Sequence, residues 1–202
     1  MAARVVIAED EAIIRLDLQE TLEEEGYEVV GSTGRGDEAV TMVRDLRPDL
    51  AILDIKMPGM DGISAAKEIA GGRWAAVLIL TAFSQRDLVE QARDAGAIGY
   101  LVKPFQKSDL VPAIEVAIGR FSELRALEQE VHSLEEQLAT RRIVERARGH
   151  LMDTYHLSEQ EAFTFIQQTA MRQRARMRAV AEQVLDGSLA PPPADGSVNP
   201  PR

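Results

Sequence analysis

Apolar residues gather in four short runs in the first half of the chain, at residues 5–8, 50–53, 76–80 and 97–102, without the polar alternation of a half-exposed strand. Runs of that kind predict strands covered on both faces, as in a parallel sheet. Between them the apolar spacing turns helical. Residues 12–25 form a predicted helix through Ile13, Ile14, Leu16, Leu18 and Leu22, with Gly26 as its C-terminal stop. Residues 27–30 read as a further short strand, 31–36 as a turn-rich loop, and 38–46 as a helix closed by Arg47-Pro48. A fourth helix is expected to open at Ser84 as N-cap, with Asp87 three residues on. Five strands separated by helices of about ten residues predict an α/β fold, a doubly wound five-stranded parallel sheet.

Each of the four runs ends in a residue able to do chemistry. The first ends in Glu9-Asp10-Glu11, the second in Asp54-Ile55-Lys56-Met57-Pro58-Gly59, the third in Thr81-Ala82 and the last in Lys103-Pro104-Phe105. In open α/β sheets ligands bind beyond the carboxyl ends of the strands. Carboxylates crowded there repel, which raises the pKa of one or recruits a cation. Hard oxygen donors with room left for waters favour Mg2+. Taken singly, each of these residues reads as an ordinary core or surface position. An acidic pair, an aspartate, a threonine and a Lys-Pro in this order, each closing an apolar strand, point to one site.

In this order the motifs resemble the response-regulator receiver domain of two-component signalling, over residues 4–119. The resemblance implies a flavodoxin-like fold with Asp54 as phosphoacceptor for a histidine kinase. It implies that Glu9, Asp10, Asp54 and the backbone carbonyl of Lys56 hold Mg2+. Lys103 would pair with the phosphoryl oxygens, Thr81 would swing toward them, and Tyr100 would rotate inward as a switch. Lys103-Pro104 would be a cis peptide. The chemistry agrees, since phosphoryl transfer rests on positioning and on neutralising oxygen charge. A second Asp two residues past the nucleophile, as in aspartyl-phosphate phosphatases, is absent: Lys56 stands there, so the chain is read as a regulator rather than an enzyme.

Beyond residue 119 the pattern changes. Leu124, Leu127, Val131, Leu134 and Leu138 recur at spacings of three and four among mostly acidic or polar residues, the pattern of a coiled-coil seam. So narrow a stripe needs a partner helix. The last helix of the first domain is expected to continue without proline into this linker, residues 120–140.

Charge then changes sign. Residues 141–185 carry eight arginines against five acids, about +3, in a chain of net charge -10. A basic module on an acidic protein suggests a polyanion partner. Three helices are predicted there, at 142–152, 158–170 and 176–185, the second opened by a capping box from Ser158 to Glu161. The stretches Val144-Glu145-Arg146-Ala147-Arg148-Gly149, Ser158-Glu159-Gln160-Glu161-Ala162-Phe163 and Arg176-Met177-Arg178-Ala179-Val180-Ala181 resemble the ANTAR domain, a small RNA-binding output module of transcription antiterminators. The family usually shows Ala-Lys-Gly where this chain has Ala147-Arg148-Gly149.

Together the resemblances imply an actinobacterial phosphorylated ANTAR-type response regulator: receiver 1–119, helical linker 120–140, ANTAR domain 141–185, and a tail at 186–202 whose composition predicts disorder. They imply binding to RNA hairpins in leader transcripts as a homodimer formed on phosphorylation, with Arg142, Arg146, Arg148 and Arg176 as candidate RNA contacts. His150, Tyr155 and Phe163 are candidate stacking residues, although Phe163 fits the buried face better. A DNA-binding transcriptional regulator is the alternative, disfavoured by an Arg-rich connection at 171–175 without the usual glycine. Absence of cysteine excludes disulfides and thiolate metal sites. No secretory or membrane-spanning pattern appears, so a cytoplasmic protein is expected. The single tryptophan, Trp74 after Gly71-Gly72-Arg73, reads as core cover.

Overall fold

A computed structural model of the protein describes residues 2–82 and 86–192. The expected N-cap at Ser84 and most of the tail lie outside the described residues. The order is β1 (Arg4–Ala8), α1 (Ala12–Glu24), β2 (Glu28–Thr33), α2 (Gly36–Leu46), β3 (Leu50–Asp54), α3 (Gly62–Gly71), β4 (Ala76–Thr81), α4 (Arg86–Asp94), β5 (Gly99–Val102), α5 (Lys107–Tyr155), α6 (Glu159–Gln173) and α7 (Met177–Leu185). The chain divides into two compact units, Met1–Ala126 and Leu127–Arg202.

In the first unit the five strands pair in parallel in the order β2-β1-β3-β4-β5, the doubly wound sheet that the sequence predicts. β3 and β4 are buried at every position, which explains why their sequences are apolar without alternation. Alternate residues serve opposite faces. Val6, Leu53, Val77 and Ile79 pack on one side with Val40, Val43 and Ile69 of α2 and α3. Ile7, Ile52, Leu78 and Leu80 pack on the other with Leu18 and Leu22 of α1 and Leu110 and Ile114 of α5. Gly26, at φ 84, ends α1 as expected.

Two boundaries differ from the sequence expectation. Gly31-Ser32-Thr33 belongs to β2 and not to a loop, because Gly31, Ser32 and Thr33 pair with Val6, Ile7 and Ala8 of β1. The second is the end of α5, which runs into the linker as expected but does not stop there. One 49-residue helix takes in the last receiver helix, the linker and the segment read as the first helix of the C-terminal module. Pro112 lies inside this helix near its start, where its missing N–H leaves one backbone acceptor without its helical donor.

In the second unit α6 and α7 close on the last turns of α5 through Ala147, Leu151, Ala162, Ile166, Val180 and Val184. Ser158 caps α6 as expected: its hydroxyl accepts from the Glu161 N–H at 3.3 Å, and the Glu161 carboxylate accepts from the Ser158 N–H at 2.8 Å. Phe163 is a correction to the sequence reading. It is 38% exposed, and Phe165 packs against the core in its place. The seam residues Leu124, Leu127, Val131, Leu134 and Leu138 all stand 52–58% exposed.

Candidate functional site

Parallel pairing brings the strand ends together. Ala8 is in register with Leu53, so the next residues, Glu9 and Asp54, emerge side by side, while Thr81 closes the neighbouring strand opposite Val102. Glu9, Asp10 and Asp54 offer carboxylate oxygens that all lie within 4.8 Å of one another. Glu9 is 1% exposed and Asp54 7%, whereas Asp10 is open to solvent. The donors are all hard oxygens and one of them faces water, which fits a cation such as Mg2+ that keeps part of its hydration shell.

Lys103 follows β5 and its N–H donates to the Thr81 carbonyl at 2.8 Å. Its ammonium lies 3.3 Å from Asp54 Oδ1 and also donates to Glu9 Oε2. Burial pushes the Glu9 carboxyl above its ordinary pKa, against the pull of Lys103, and the charge of Asp54 adds to the rise. Burial raises Asp54 in the same way; Lys103 opposes the rise and Asp10 adds to it. Two buried carboxylates sharing one ammonium thus form an electrostatically unfinished site, short of positive charge.

Thr81 is fully buried, and its side chain is hydrogen-bonded with Tyr100. Tyr100 packs against the core layer that includes Ile79. The peptide between Lys103 and Pro104 is cis, as the resemblance implies. Lys56 is exposed in the loop after β3 and lines, with Asp10, Met57, Asp61 and Leu88, a cleft of about 830 Å3 beside the carboxylates.

Sequence reasoning missed several residues that hold this site. Gly62 opens α3, and a Cβ there would stand 1.9 Å from the Asp54 carbonyl oxygen, so only glycine fits. Its N–H donates to the Ile55 carbonyl at 2.8 Å, which fastens the loop after Asp54. Asp61 caps α3 by accepting from the Ser64 N–H at 2.9 Å. The Arg15 guanidinium donates to the Glu9 carbonyl. The Asp61-Gly62 pair after a strand end was a readable cap signal, but the Arg15 contact reaches across six residues with no local pattern to announce it.

In the second unit, Arg142 and Arg146 are exposed four residues apart on one face of α5, and Arg176 is the exposed N-cap residue of α7. Arg148 differs, being ion-paired with Glu159 at 3.1 Å. The rings of His150 and Tyr155 meet edge to face at 6.4 Å.

The family model of the response regulator receiver domain matches residues 5–115, and that of the ANTAR domain matches residues 132–185. The chain is a response regulator that joins a receiver domain to an ANTAR domain. It is 59% identical over 183 residues to the transcriptional regulatory protein PdtaR of Mycobacterium tuberculosis, spanning 91% of this chain and 89% of that protein. Its receiver is 41% identical over 115 residues to the chemotaxis protein CheY of Thermotoga maritima, 56% of this chain and 96% of that protein. Among solved structures it resembles the response regulator domain of Thermotoga maritima CheB, with TM-score 0.55, 26% identity, and coverage of 59% of this response regulator against 98% of that domain. It also resembles CheY of Borrelia burgdorferi in its complex with CheX, BeF3 and Mg2+, with TM-score 0.53, 27% identity and coverage of 55% and 86%. Among the described residues of the response regulator no helix is long and apolar enough to cross a membrane.

Proposed function

We propose that this response regulator is phosphorylated on Asp54 by a sensor histidine kinase and acts, once phosphorylated, as an RNA-binding transcription antiterminator. The observation that carries the reading is the Glu9-Asp10-Asp54 cluster with Lys103 at its edge, in a chain whose other domain is ANTAR.

An Asp54 carboxylate oxygen attacks the phosphorus of the phosphohistidine. The P–N bond breaks, its electron pair returns to the imidazole, and an acyl phosphate forms on Asp54. Glu9, Asp10, Asp54 and the Lys56 carbonyl are the groups assigned to Mg2+, which when bound supplies charge neutralisation for the phosphoryl oxygens. Lys103, already within ion-pair distance of Asp54, supplies the second cation. Thr81 then turns its hydroxyl toward the phosphoryl group, and the Tyr100 side chain bonded to it follows.

Kinase docking has a surface to use. Ile13 is 86% exposed and Leu16 57% exposed on the first turns of α1, directly after Glu9 and Asp10. The output reading rests on the ANTAR match and on the exposed arginines Arg142, Arg146 and Arg176, with Arg148 available only if it leaves Glu159. The exposed seam from Leu124 to Leu138 lies on the helix that begins in the receiver, and it is assigned to a homodimer that forms on phosphorylation. Taking such a dimer from rare to dominant requires a bias of roughly 5 kcal/mol.

The phosphoryl step is tested by incubating the protein with Mg2+ and a small acyl-phosphate donor and weighing the intact chain. A mass gain of one phosphoryl group that Asp54→Asn abolishes is expected; an equal gain in that variant would refute the assignment.

A further inference from the structure

At the opposite end of the sheet from Asp54, the loops that enter β3 and β4 and the stretch of α5 near Phe121 enclose a cavity of about 220 Å3. Arg47, Arg73 and Arg125 line it, together with Asp49, Trp74 and Phe121. Arg47 lies over the Trp74 ring with its guanidinium carbon 5.6 Å from the centroid, and Arg125 lies over Phe121 at 5.8 Å. Stacking of this kind fixes a guanidinium by its face and leaves its in-plane N–H groups for an oxyanion. Among the described residues neither Arg47 nor Arg125 is ion-paired to a carboxylate.

The one carboxylate of the lining, Asp49, accepts from the Arg4 backbone N–H at 2.8 Å. Three guanidiniums against one carboxylate leave the lining near +2, in a chain of net charge -10. Arg47 and Arg73 also share an unusual backbone, with φ of 49 and 52, at helix ends where glycine is the ordinary occupant. Gly71 and Gly72 stand directly before Arg73, yet the left-handed residue is the arginine. Two of the four left-handed non-glycine residues in the described chain line this one cavity.

We propose that the cavity binds a compact phosphate-bearing anion, free diphosphate or the phosphate tail of a nucleotide, at a site separate from Asp54. Guanidinium forks lining one small cavity match the several oxygens of a phosphate better than the two of a carboxylate. The space is smaller than the roughly 300 Å3 at which pockets for drug-sized ligands begin, so the charged group enters and the rest of a nucleotide stays outside.

Trp74 is the only tryptophan of the chain and reports directly on the site. The full-length protein in Mg2+-free buffer at fixed ionic strength is titrated with sodium diphosphate and, separately, with adenosine triphosphate, each followed by tryptophan fluorescence and by calorimetry. Saturable binding is expected to one or both; diphosphate alone assigns the free anion, and the triphosphate alone assigns a nucleotide. Arg47→Gln or Arg125→Gln weakens it by about tenfold or more, the loss of one charge-assisted hydrogen bond, while Asp54→Asn leaves it unchanged. Binding by neither method, binding that the two arginine variants retain in full, or binding lost in Asp54→Asn would overturn the proposal. So would a Trp74 response to an RNA strand and to neither small anion.

Discussion

Lys103 holds two carboxylates at once: its ammonium lies 3.3 Å from Asp54 Oδ1 and is hydrogen-bonded to Glu9 Oε2. Any charge added at Asp54 is therefore redistributed among the same few atoms.

Removing the ammonium tests that relationship. Glu9 and Asp54 are buried, and a buried charge stripped of its partner costs about 3–5 kcal/mol unless it takes up a proton. Lys103→Met is therefore expected to lose about 3 kcal/mol of unfolding free energy at neutral pH in metal-free buffer. Both carboxyls already sit above their ordinary pKa in the folded protein, because of burial. The folded state then takes up protons before the unfolded state does. This contribution to stability is complete below the ordinary carboxylate range and is lost as pH rises through the raised values. The deficit of the variant should shrink on acidification, read from urea midpoints across pH; a deficit independent of pH would contradict the argument.

Ile13 should matter to the kinase and not to the chemistry. Ile13→Ala is expected to slow phosphoryl transfer from a cognate histidine kinase by about tenfold, as truncation of an interface anchor does. Its rate with a small acyl-phosphate donor should match wild type. Equal slowing with both donors would place Ile13 in the fold of the site instead of at a docking surface.

The glycines at the two ends of α3 should respond in opposite directions. A methyl group at Gly62 has nowhere to go, being 1.9 Å from the Asp54 carbonyl oxygen, and Gly62→Ala is expected to cost about 1–3 kcal/mol. At Gly71 nothing lies within 4 Å of the added carbon, and Gly71→Ala should gain about 0.5–1 kcal/mol. Thermal unfolding of the two variants decides this, and a loss at Gly71 as large as that at Gly62 would contradict it.

How much of this was legible beforehand depends on where the information lies along the chain. The carboxyl ends of β1, β3, β4 and β5 could be read because each apolar run stops at its own functional residue, Glu9, Asp54, Thr81 or Lys103. The last turn of β2 could not, since Gly31-Ser32-Thr33 has loop composition and is extended only because β1 pairs with it. Phe163 and Phe165 flank the buried Ile166 and Ala162 on a helix, and periodicity does not say which flank the other helices cover. The continuation of α5 from the receiver into the linker was legible because no proline interrupts residues 113–142; its further run to Tyr155 was not, because nothing local distinguishes one long helix from two abutting ones. The arginine cavity joins residues 47, 73 and 125, which only the folded topology brings together.

The capping box of α6 is a local device with a pH signature. Ser158→Ala should cost about 1 kcal/mol in the second unit. Hydrogen bonds from the Ser158 side chain and backbone hold the Glu161 carboxyl below its ordinary pKa. A depressed value means that the contribution is present above the ordinary carboxylate range and is lost as pH falls through the depressed one. Once the intrinsic slowing of exchange at lower pH is divided out, the α6 amides of wild type should show an excess loss of protection on acidification, and Glu161→Gln should remove that excess. An excess that survives in Glu161→Gln would assign it to another group.

The most direct test of the account is binding of the full-length protein to a leader RNA with two hairpins, against a duplex DNA control, with and without a phosphoryl donor, in wild type and Asp54→Ala. The expected result is RNA binding that tightens on phosphorylation in wild type and stays flat in the variant, with no comparable gain on DNA. Phosphorylation-dependent binding to DNA alone, or RNA binding that tightens equally without Asp54, would contradict it.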